Sequence, residues 1–258
     1  MKKGSNDIRD VVYIHLNEKE RFVLSYGIEF REFYRILAET LSSVLLLKHQ
    51  FEDGEFNIHT QFEYVPNTKL AKLSKEDVYG YGDFVWVDFD ETEILDILEG
   101  QTIAELLYLG HKLEPLRKPF FQQLNNQYAY LAHDDGWFNK IYYKNMDSFY
   151  QLFGDVIAKK VTDLKLEKGL LGLKKKRIYP SPPNEIVMEL KHYMNEGMVL
   201  SIEKASQTRL KMEIPIWILG DFDNMDDMYE EYEKNSKQKT DALLIFDKKL
   251  REWHLTKA

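Results

Sequence analysis

Short segments in which apolar and polar residues alternate constrain the fold of this chain more than any other feature of its sequence. Val11–Leu16 and Phe22–Tyr26 alternate in this way around the polar tetrapeptide NEKE, the pattern of a β-hairpin. Tyr128–Ala132 and Trp137–Tyr143 form a second such pair, and Asp135–Gly136 between them suits a type I′ turn, whose central residues need positive φ. The sequence therefore predicts a sheet that is mainly antiparallel.

Further strands are predicted from the same period of two. EFNIHTQFEYV, residues 55–65, is predicted as one strand with its apolar residues, Phe56, Ile58, Phe62 and Tyr64, on one face. The other predicted strands are Phe84–Phe89, Met198–Glu203, Leu210–Leu219 and a final hairpin of Ala242–Phe246 with Glu252–Leu255. Pro215 places the Leu210–Leu219 strand at a sheet edge or at a bulge, because proline cannot donate a ladder hydrogen bond.

Helices are predicted where apolar residues recur every three or four positions. Thr102 with Glu105 forms a capping box for one of them, and Gly110 suits its C-terminal cap. The predicted helices are Glu29–Lys48, Glu93–Leu98, Thr102–Leu109, Met146–Leu166, Asn184–Asn195 and Asp223–Lys234. Together with the strands they predict an α+β fold, a mainly antiparallel sheet with packed amphipathic helices.

The predicted domain boundary lies at residues 168–183, KGLLGLKKKRIYPSPP. Glycines, a basic run and three prolines are typical of a linker or a long exposed loop. We therefore predict an N-terminal α+β domain at 1–167 and a C-terminal α+β subdomain at 184–258. No internal repeat is evident in the sequence.

Composition and charge exclude several classes of protein. The chain has no cysteine, which excludes disulfides, thiolate catalysis and cysteine metal sites. It has no apolar run of about 18 residues and no apolar segment after its basic N-terminus, so we expect a cytoplasmic protein that does not enter a membrane. The net charge of −8 disfavours nucleic-acid binding. The only candidate patch for that function is the basic run Lys174, Lys175, Lys176 and Arg177, in a segment, 159–177, with eight basic and two acidic residues.

The stretch YLAHDDGWFNK, residues 130–140, raises the possibility of a site at a hairpin tip. His133 beside Asp134 could act in binding, although we interpret the HDDG string first as turn residues. Aromatic side chains near it and in YGYG could form a surface for a partner, because Tyr and Trp are enriched in interfaces. The candidate binding residues are Tyr79, Tyr81, His133, Asp134, Trp137, Tyr142 and Tyr143.

FVWVDFDETE, residues 84–93, carries the sharpest chemical signal in the chain. A hydrophobic strand ending in Asp-x-Asp-x-Thr resembles the first motif of haloacid-dehalogenase-like phosphatases, and WILGDFDNMDD, residues 217–227, resembles their acidic Mg²⁺ motif. The resemblance implies that Asp88 is the nucleophile and Asp90 the acid/base, with Asp88, Asp221 and Asp226 around Mg²⁺. From the residues alone, Asp88 and Asp90 are also explained as acids at a strand end that precedes a helix.

IAELLYLGH together with PFFQQLNNQYAYLAHDDGWFNKIYYK, within residues 103–144, resembles a group of uncharacterised proteins of low-GC Gram-positive bacteria. This resemblance implies a bacterial cytosolic protein and no particular activity. Our leading hypothesis is a non-enzymatic binding or regulatory protein with a protein partner and no cofactor. The alternative is the Mg²⁺-dependent phosphatase.

Overall fold

A computed structural model describes residues 10–37, 42–48, 50–76, 78, 81–164 and 178–257. The chain divides into two compact units. Unit 1 comprises Met1–Leu16, Tyr26–Ile28 and Asp147–Ala258, and unit 2 comprises Asn17–Ser25 and Glu29–Met146. The predicted α+β class with a mostly antiparallel sheet is confirmed.

The helices and strands are numbered in chain order. The strands are β1 (Val11–Asn17), β2 (Phe22–Tyr26), β3 (Ser43–Leu46), β4 (Glu55–Phe56), β5 (Glu63–Val65), β6 (Phe84–Phe89), β7 (Tyr128–His133), β8 (Phe138–Tyr143), β9 (Met198–Ser201), β10 (Ser206–Gln207), β11 (Lys211–Ile218), β12 (Ala242–Asp247) and β13 (Glu252–Lys257). The α-helices are α1 (Phe30–Leu37), α2 (Asn67–Leu73), α3 (Gly100–Lys112), α4 (Met146–Asp163), α5 (Asn184–Glu189), α6 (Lys191–Asn195) and α7 (Met225–Asn235), and a 3₁₀ helix covers Thr92–Ile97.

In unit 2 the strands lie in the order β2-β8-β7-β6-β3-β5-β4. Aromatic residues of α1 cover one face, where the Phe30 ring meets the rings of Trp86 and Tyr130 at 4.3 and 5.5 Å. The aliphatic side chains of β6 face the opposite way, because neighbouring residues of a strand alternate between faces. They form a core with Leu106 and Leu109 of α3. Since helices cover both faces, β6 is buried throughout.

In unit 1 the strands lie in the order β13-β12-β11-β9-β1, and β10 pairs with β11. The N-terminal strand β1 pairs with β9, from Val11 opposite Ser201 to Ile14 opposite Met198. Helix α7 packs on this sheet through Tyr232, whose ring lies 6.1 Å from that of Trp217. The unit is therefore assembled from residues far apart in the chain.

The two units share one topology, a helix, two strands, a helix and two strands. In unit 2 the four strands are β3, β6, β7 and β8, and in unit 1 they are β9, β11, β12 and β13. Each set lies side by side in chain order with antiparallel neighbours. The last hairpin encloses four residues in both, 134–137 and 248–251. The fold thus contains a repeat that the sequence did not reveal.

The link between the first two strands of the repeat differs between the units. In unit 1 the chain passes from β9 to β11 through residues 202–210, which contain only the short β10. In unit 2 residues 47–83 make the same connection and contain β4, β5 and α2. We call residues 47–83 the inserted segment. Its length hides the repeat in the sequence, because the first two strands of the repeat are much farther apart along the chain in unit 2 than in unit 1.

Two predictions in the N-terminal half are wrong. Glu29–Lys48 is not one helix, since α1 ends at Leu37 and Ser43–Leu46 form strand β3, which pairs with β6. Residues 55–65 are not one strand, since a turn separates β4 from β5 and leaves Phe56 and Ile58 exposed. Apolar runs this short fit a helix and a buried strand equally well, so tertiary pairing decides between them.

Two predicted boundaries of α3 are also wrong. The N-cap residue is Glu99, and the Thr102 hydroxyl donates to Gln123 Oε1 at 2.9 Å instead of capping the helix. Gly110 lies inside the helix, where an added Cβ would come within 2.9 Å of the Leu47 carbonyl oxygen, and Leu113 is the C-cap residue. Gly110 therefore serves close packing of α3 against the chain after β3.

Pro215 is not at a sheet edge, because β11 lies between β12 and β9. The Ile216 carbonyl accepts from Asp241 N on the β12 side, so the nitrogen of Pro215 points to the β9 side. There the pairing with β9 covers only Ile216–Ile218. Proline is tolerated in this interior strand because the N–H that it lacks would lie just beyond the hydrogen bonds between β11 and β9.

The division of the chain differs from the predicted domain boundary. Helix α4, which precedes residues 168–183, and the strands that follow them belong to the same unit. Of the predicted linker, residues 178–183 are irregular, and 168–177 lie outside the described residues. Long-range pairing of β1 with β9 joins the chain segments, and local composition carries no signal of it.

Candidate functional site

Asp88 lies inside β6 and its carboxylate binds the main chain at the start of β7. Oδ1 accepts from Tyr128 N at 2.6 Å and from Gln127 N at 3.1 Å, and Oδ2 lies 3.0 Å from Gln127 N. Burial raises the pKa of Asp88 to about 7, although the two main-chain donors lower it. The side chain is 5% exposed, and its hydrogen bonds join β6 to the start of β7.

The other acids of the phosphatase resemblance fall in different surroundings. Asp90 is exposed just beyond β6 and accepts from Asn125 Nδ2 at 2.6 Å. Asp221 and Asp226 belong to unit 1, whereas Asp88 and Asp90 belong to unit 2. Asp221 Oδ1 lies 2.5 Å from His15 Nδ1. Asp226 is exposed in the first turn of α7. Within the described ranges, no three His, Asp or Glu side chains lie close enough together to hold a metal ion.

The HDDG string forms the predicted hairpin turn. Asp135 and Gly136 have φ values of 56° and 82°, and Trp137 N donates to Asp134 O at 3.1 Å, as a type I′ turn requires. Asp134 also has a positive φ, so strand pairing stops at His133 opposite Phe138. Burial lowers the pKa of His133, while the carboxylates of Asp83 and Asp134 raise it.

The predicted aromatic surface is only partly where we expected it. Trp137 and Tyr81 are half-buried, and the Tyr81 hydroxyl donates to Glu76 Oε2 at 2.9 Å. Tyr142 and Tyr143 are 5% and 1% exposed, so the prediction that they are surface residues is wrong. Strand β8 lies between β7 and β2 with both faces covered, and Phe22 packs on the Tyr142 ring at 5.6 Å. Tyr79 and Lys174, Lys175, Lys176 and Arg177 lie outside the described residues.

A surface that the sequence did not predict lies at the β4 edge of unit 2. Phe56, Ile58 and Ile97 are 62%, 86% and 68% exposed. Asn57 Nδ2 donates to Asp96 Oδ1 at 2.7 Å and so joins the two chain segments that carry them. We call these three apolar residues the β4 surface. Single exposed apolar residues are common, whereas several at one place mark a site of interaction.

The turn that carries Ile58 is held by a set of hydrogen bonds. Asn57 Oδ1 accepts from the main-chain N and the hydroxyl of Thr60, both at 2.9 Å. Asn57 N donates to Phe62 O at 2.9 Å, and Gln61, with a φ of 60°, donates to Asn57 O at 2.8 Å. These bonds fix the turn, so Ile58 is presented to solvent on an ordered support.

A depression of about 450 Å³ lies beside the β4 surface. Its lining residues include the buried Phe51, the exposed Phe56 and three acids, Glu52, Glu55 and Glu63. Glu63 Oε1 accepts from Phe51 N at 2.7 Å, which orders the main chain along the depression. It therefore combines apolar walls with negative charge.

Acidic side chains outnumber basic ones around the β4 surface. Lys69 and Lys72 make ion pairs with Glu55 and Asp53 at 2.9 and 3.2 Å, and the bonds from Lys69 and Tyr64 lower the pKa of Glu55. Glu52 and Glu63 add further negative charge in the depression. Glu93 and Asp96 lie near Tyr64, and their charges raise its pKa, after the larger effects of burial and of the bond to Glu55.

Comparison with protein-family models, with curated proteins and with solved structures found no match to this chain. Among the described helices, none is both long enough and apolar enough to cross a membrane.

Proposed function

We propose that this chain is a non-enzymatic binding or regulatory protein that holds a protein partner at the β4 surface. The observation that carries the proposal is the exposure of Phe56, Ile58 and Ile97 in two chain segments that the hydrogen bond from Asn57 to Asp96 joins. Hydrogen bonds of Asn57 also fix the turn that carries Ile58. Apolar side chains at the centre of an interface supply most of its binding energy. An ordered turn adds to this, because little conformational entropy is lost when the partner binds.

The shared topology of the two units supports this proposal. Unit 1 joins the first two strands of the repeat through residues 202–210 alone, so the repeat does not require the inserted segment of unit 2. Phe56 and Ile58 lie in that segment, at the end of the strand order. Their exposure is therefore not imposed by the packing of the repeat, and binding explains it.

Site-specific photo-cross-linking tests the proposal. A benzophenone side chain in place of Ile58 is expected to give a discrete adduct with one protein in an extract of the source cells. Adding Phe56→Ser and Ile97→Ser should abolish this adduct, because most of the apolar contact is lost. The same probe in place of Leu107, which is 57% exposed on α3, is the matched control and should give no adduct. Equal adducts from both positions, or none from position 58, would overturn the proposal.

The Mg²⁺-dependent phosphatase has weaker support. Both carboxylate oxygens of Asp88 already accept main-chain hydrogen bonds, and the side chain is buried, whereas a nucleophile must reach the phosphorus atom. Incubation with Mg²⁺ and a generic phosphate ester tests this alternative. Turnover that Asp88→Asn abolishes would establish it in place of the binding function.

A further inference from the structure

We infer that the partner segment bound at the β4 surface is positively charged and carries apolar side chains. This inference rests on the proposed function and specifies the chemistry of the partner. The apolar character of the partner follows from the exposure of Phe56, Ile58 and Ile97. The positive charge follows from the carboxylates near the turn that carries Ile58, those of Glu52, Glu63 and Asp96.

Negative charge dominates the surroundings of the turn. Glu52 and Glu63 line the depression, and Glu93 and Asp96 are exposed near Tyr64. The two neighbouring lysines are each engaged with a carboxylate. An acidic partner would meet like charges here, and such repulsion strongly disfavours a wrong partner. A basic partner would be attracted and oriented by the same charges.

The depression suits one long basic side chain. Phe56, the exposed apolar residue of its lining, can contact the methylene stem of a lysine or arginine. Its carboxylates, at Glu52 and Glu63, can then receive the charged head. Long basic side chains bury their stems and keep their heads in a polar environment in this way. An adjacent apolar residue of the same segment would lie on Ile58.

Peptide binding by the full chain tests the inference. Three fluorescent peptides of equal length keep the same leucine and phenylalanine residues and carry between them arginine and lysine, serine and glutamine, or glutamate. Fluorescence anisotropy at physiological salt should show the basic peptide binding at least about tenfold more tightly than the other two. Phe56→Ser with Ile58→Ser should weaken its binding by at least about tenfold.

Charge-matched variants separate a specific site from general attraction to an acidic protein. Glu52→Lys with Glu93→Lys should weaken binding of the basic peptide by at least about tenfold. Glu252→Lys with Glu185→Lys, in exposed positions of unit 1, changes the net charge equally and should leave the affinity within about twofold. Equal losses in both double variants would show unspecific attraction and overturn the inference.

The outcomes for the partner's charge and for the site are distinguishable. If the neutral or acidic peptide binds as tightly as the basic one, and Phe56→Ser with Ile58→Ser still weakens binding, the inferred charge is wrong and the proposed function stands. If the basic peptide binds equally to the variant without Phe56 and Ile58, the inferred site is wrong. The cross-linking from position 58 then decides the proposed function separately.

Discussion

At the scale of single residues, Asp88 connects two strands through its carboxylate. It accepts main-chain hydrogen bonds from Gln127 and Tyr128, where the pairing of β6 with β7 ends at Val87 opposite Ala129. Without these acceptors, the buried main-chain donor of Tyr128 and the partly buried donor of Gln127 would lose their partners, and an unpaired buried donor costs about 1–3 kcal/mol. The acid thus supports the sheet at the place where the sequence suggested a nucleophile.

The pH dependence of stability should report the state of Asp88. Its pKa is raised by burial to about 7 in the folded chain, so the folded state binds a proton more tightly than the unfolded state. Its contribution to stability is fully present below about pH 4 and is lost as pH rises through about 7, with a slope of up to about 1.4 kcal/mol per pH unit. Urea unfolding of the wild type and Asp88→Asn at several pH values measures this.

Comparing the wild type with Asp88→Asn isolates the contribution of Asp88 to the pH dependence of stability, because the other carboxylates titrate in both proteins. Over the interval from pH 4 to 7, the wild type should lose stability relative to Asp88→Asn. Parallel curves for the two proteins would show that Asp88 does not titrate in that interval. The amide Oδ1 can still accept from Gln127 and Tyr128, so the variant is expected to fold.

Sequence reasoning located Asp88 correctly at the end of a buried strand, yet it could not identify the partners of the carboxylate. Gln127 and Tyr128 follow Asp88 by about forty positions, and only the register of β6 with β7 brings them together. By contrast, Asp135–Gly136 was predicted correctly because a turn depends on local φ preferences. Local conformation was therefore predictable here, and tertiary contacts were not.

At the scale of secondary-structure elements, the segment from β4 to β5 separates residues that the alternating pattern places together. Phe56, Ile58 and Phe62 were predicted on one face of a strand. In the structure Phe62 is 5% exposed and belongs to the core, whereas Ile58 is 86% exposed. Ile58 and Phe62 differ in burial because Asn57 and Thr60 form a turn between them, and the side-chain hydrogen bonds of this turn interrupt the strand.

Substitutions in this segment should therefore differ sharply in their effect on stability. Ile58→Ser should change the free energy of unfolding by no more than about 0.5 kcal/mol, because the side chain is already in solvent. Phe62→Ala should reduce it by about 3–5 kcal/mol, because it leaves a cavity in the core. Urea denaturation followed by circular dichroism measures both. Similar losses for the two variants would mean that residues 55–65 form one strand after all.

Elements of the fold were predictable from the sequence where a local residue pattern marks them. The strand Phe84–Phe89 and the hairpin β12–β13 follow their sequence patterns, since each run of β-favouring residues is bounded by polar or charged residues. Strand β3 does not, because Val44, Leu45 and Leu46 are buried on both faces and lack any period. The β4 surface was missed for a related reason, since apolar residues carry no signal that distinguishes an exposed site from a core.

At the scale of the whole molecule, charge is distributed unevenly along the chain. Residues 221–233 contain seven acids and no base, and the net charge is −8. Such a protein repels polyanions at most of its surface. We expect Lys174–Arg177 to be too small a cluster to reverse this repulsion at physiological salt.

Replacing Lys174, Lys175 and Lys176 by alanine should therefore leave the affinity for a polyanion nearly unchanged. Few phosphate contacts form in either protein, so the slope of log K against log salt should also stay the same. Binding of a labelled oligonucleotide or of heparin over a series of salt concentrations measures both quantities. A large loss of affinity together with a smaller slope would assign nucleic-acid binding to this run.

The pairing of β1 with β9 also orders events during protein synthesis. Residues 11–14 leave the ribosome early, and their partners at 198–201 are translated much later. The segment that forms most of unit 2, from Glu29 to Met146, is complete in the interval and is free to fold first. Throughout that time β1 lacks its partner β9, so one of its edges stays unpaired. The nascent chain must therefore be protected from aggregation for longer than a chain whose strands pair in the order of their translation.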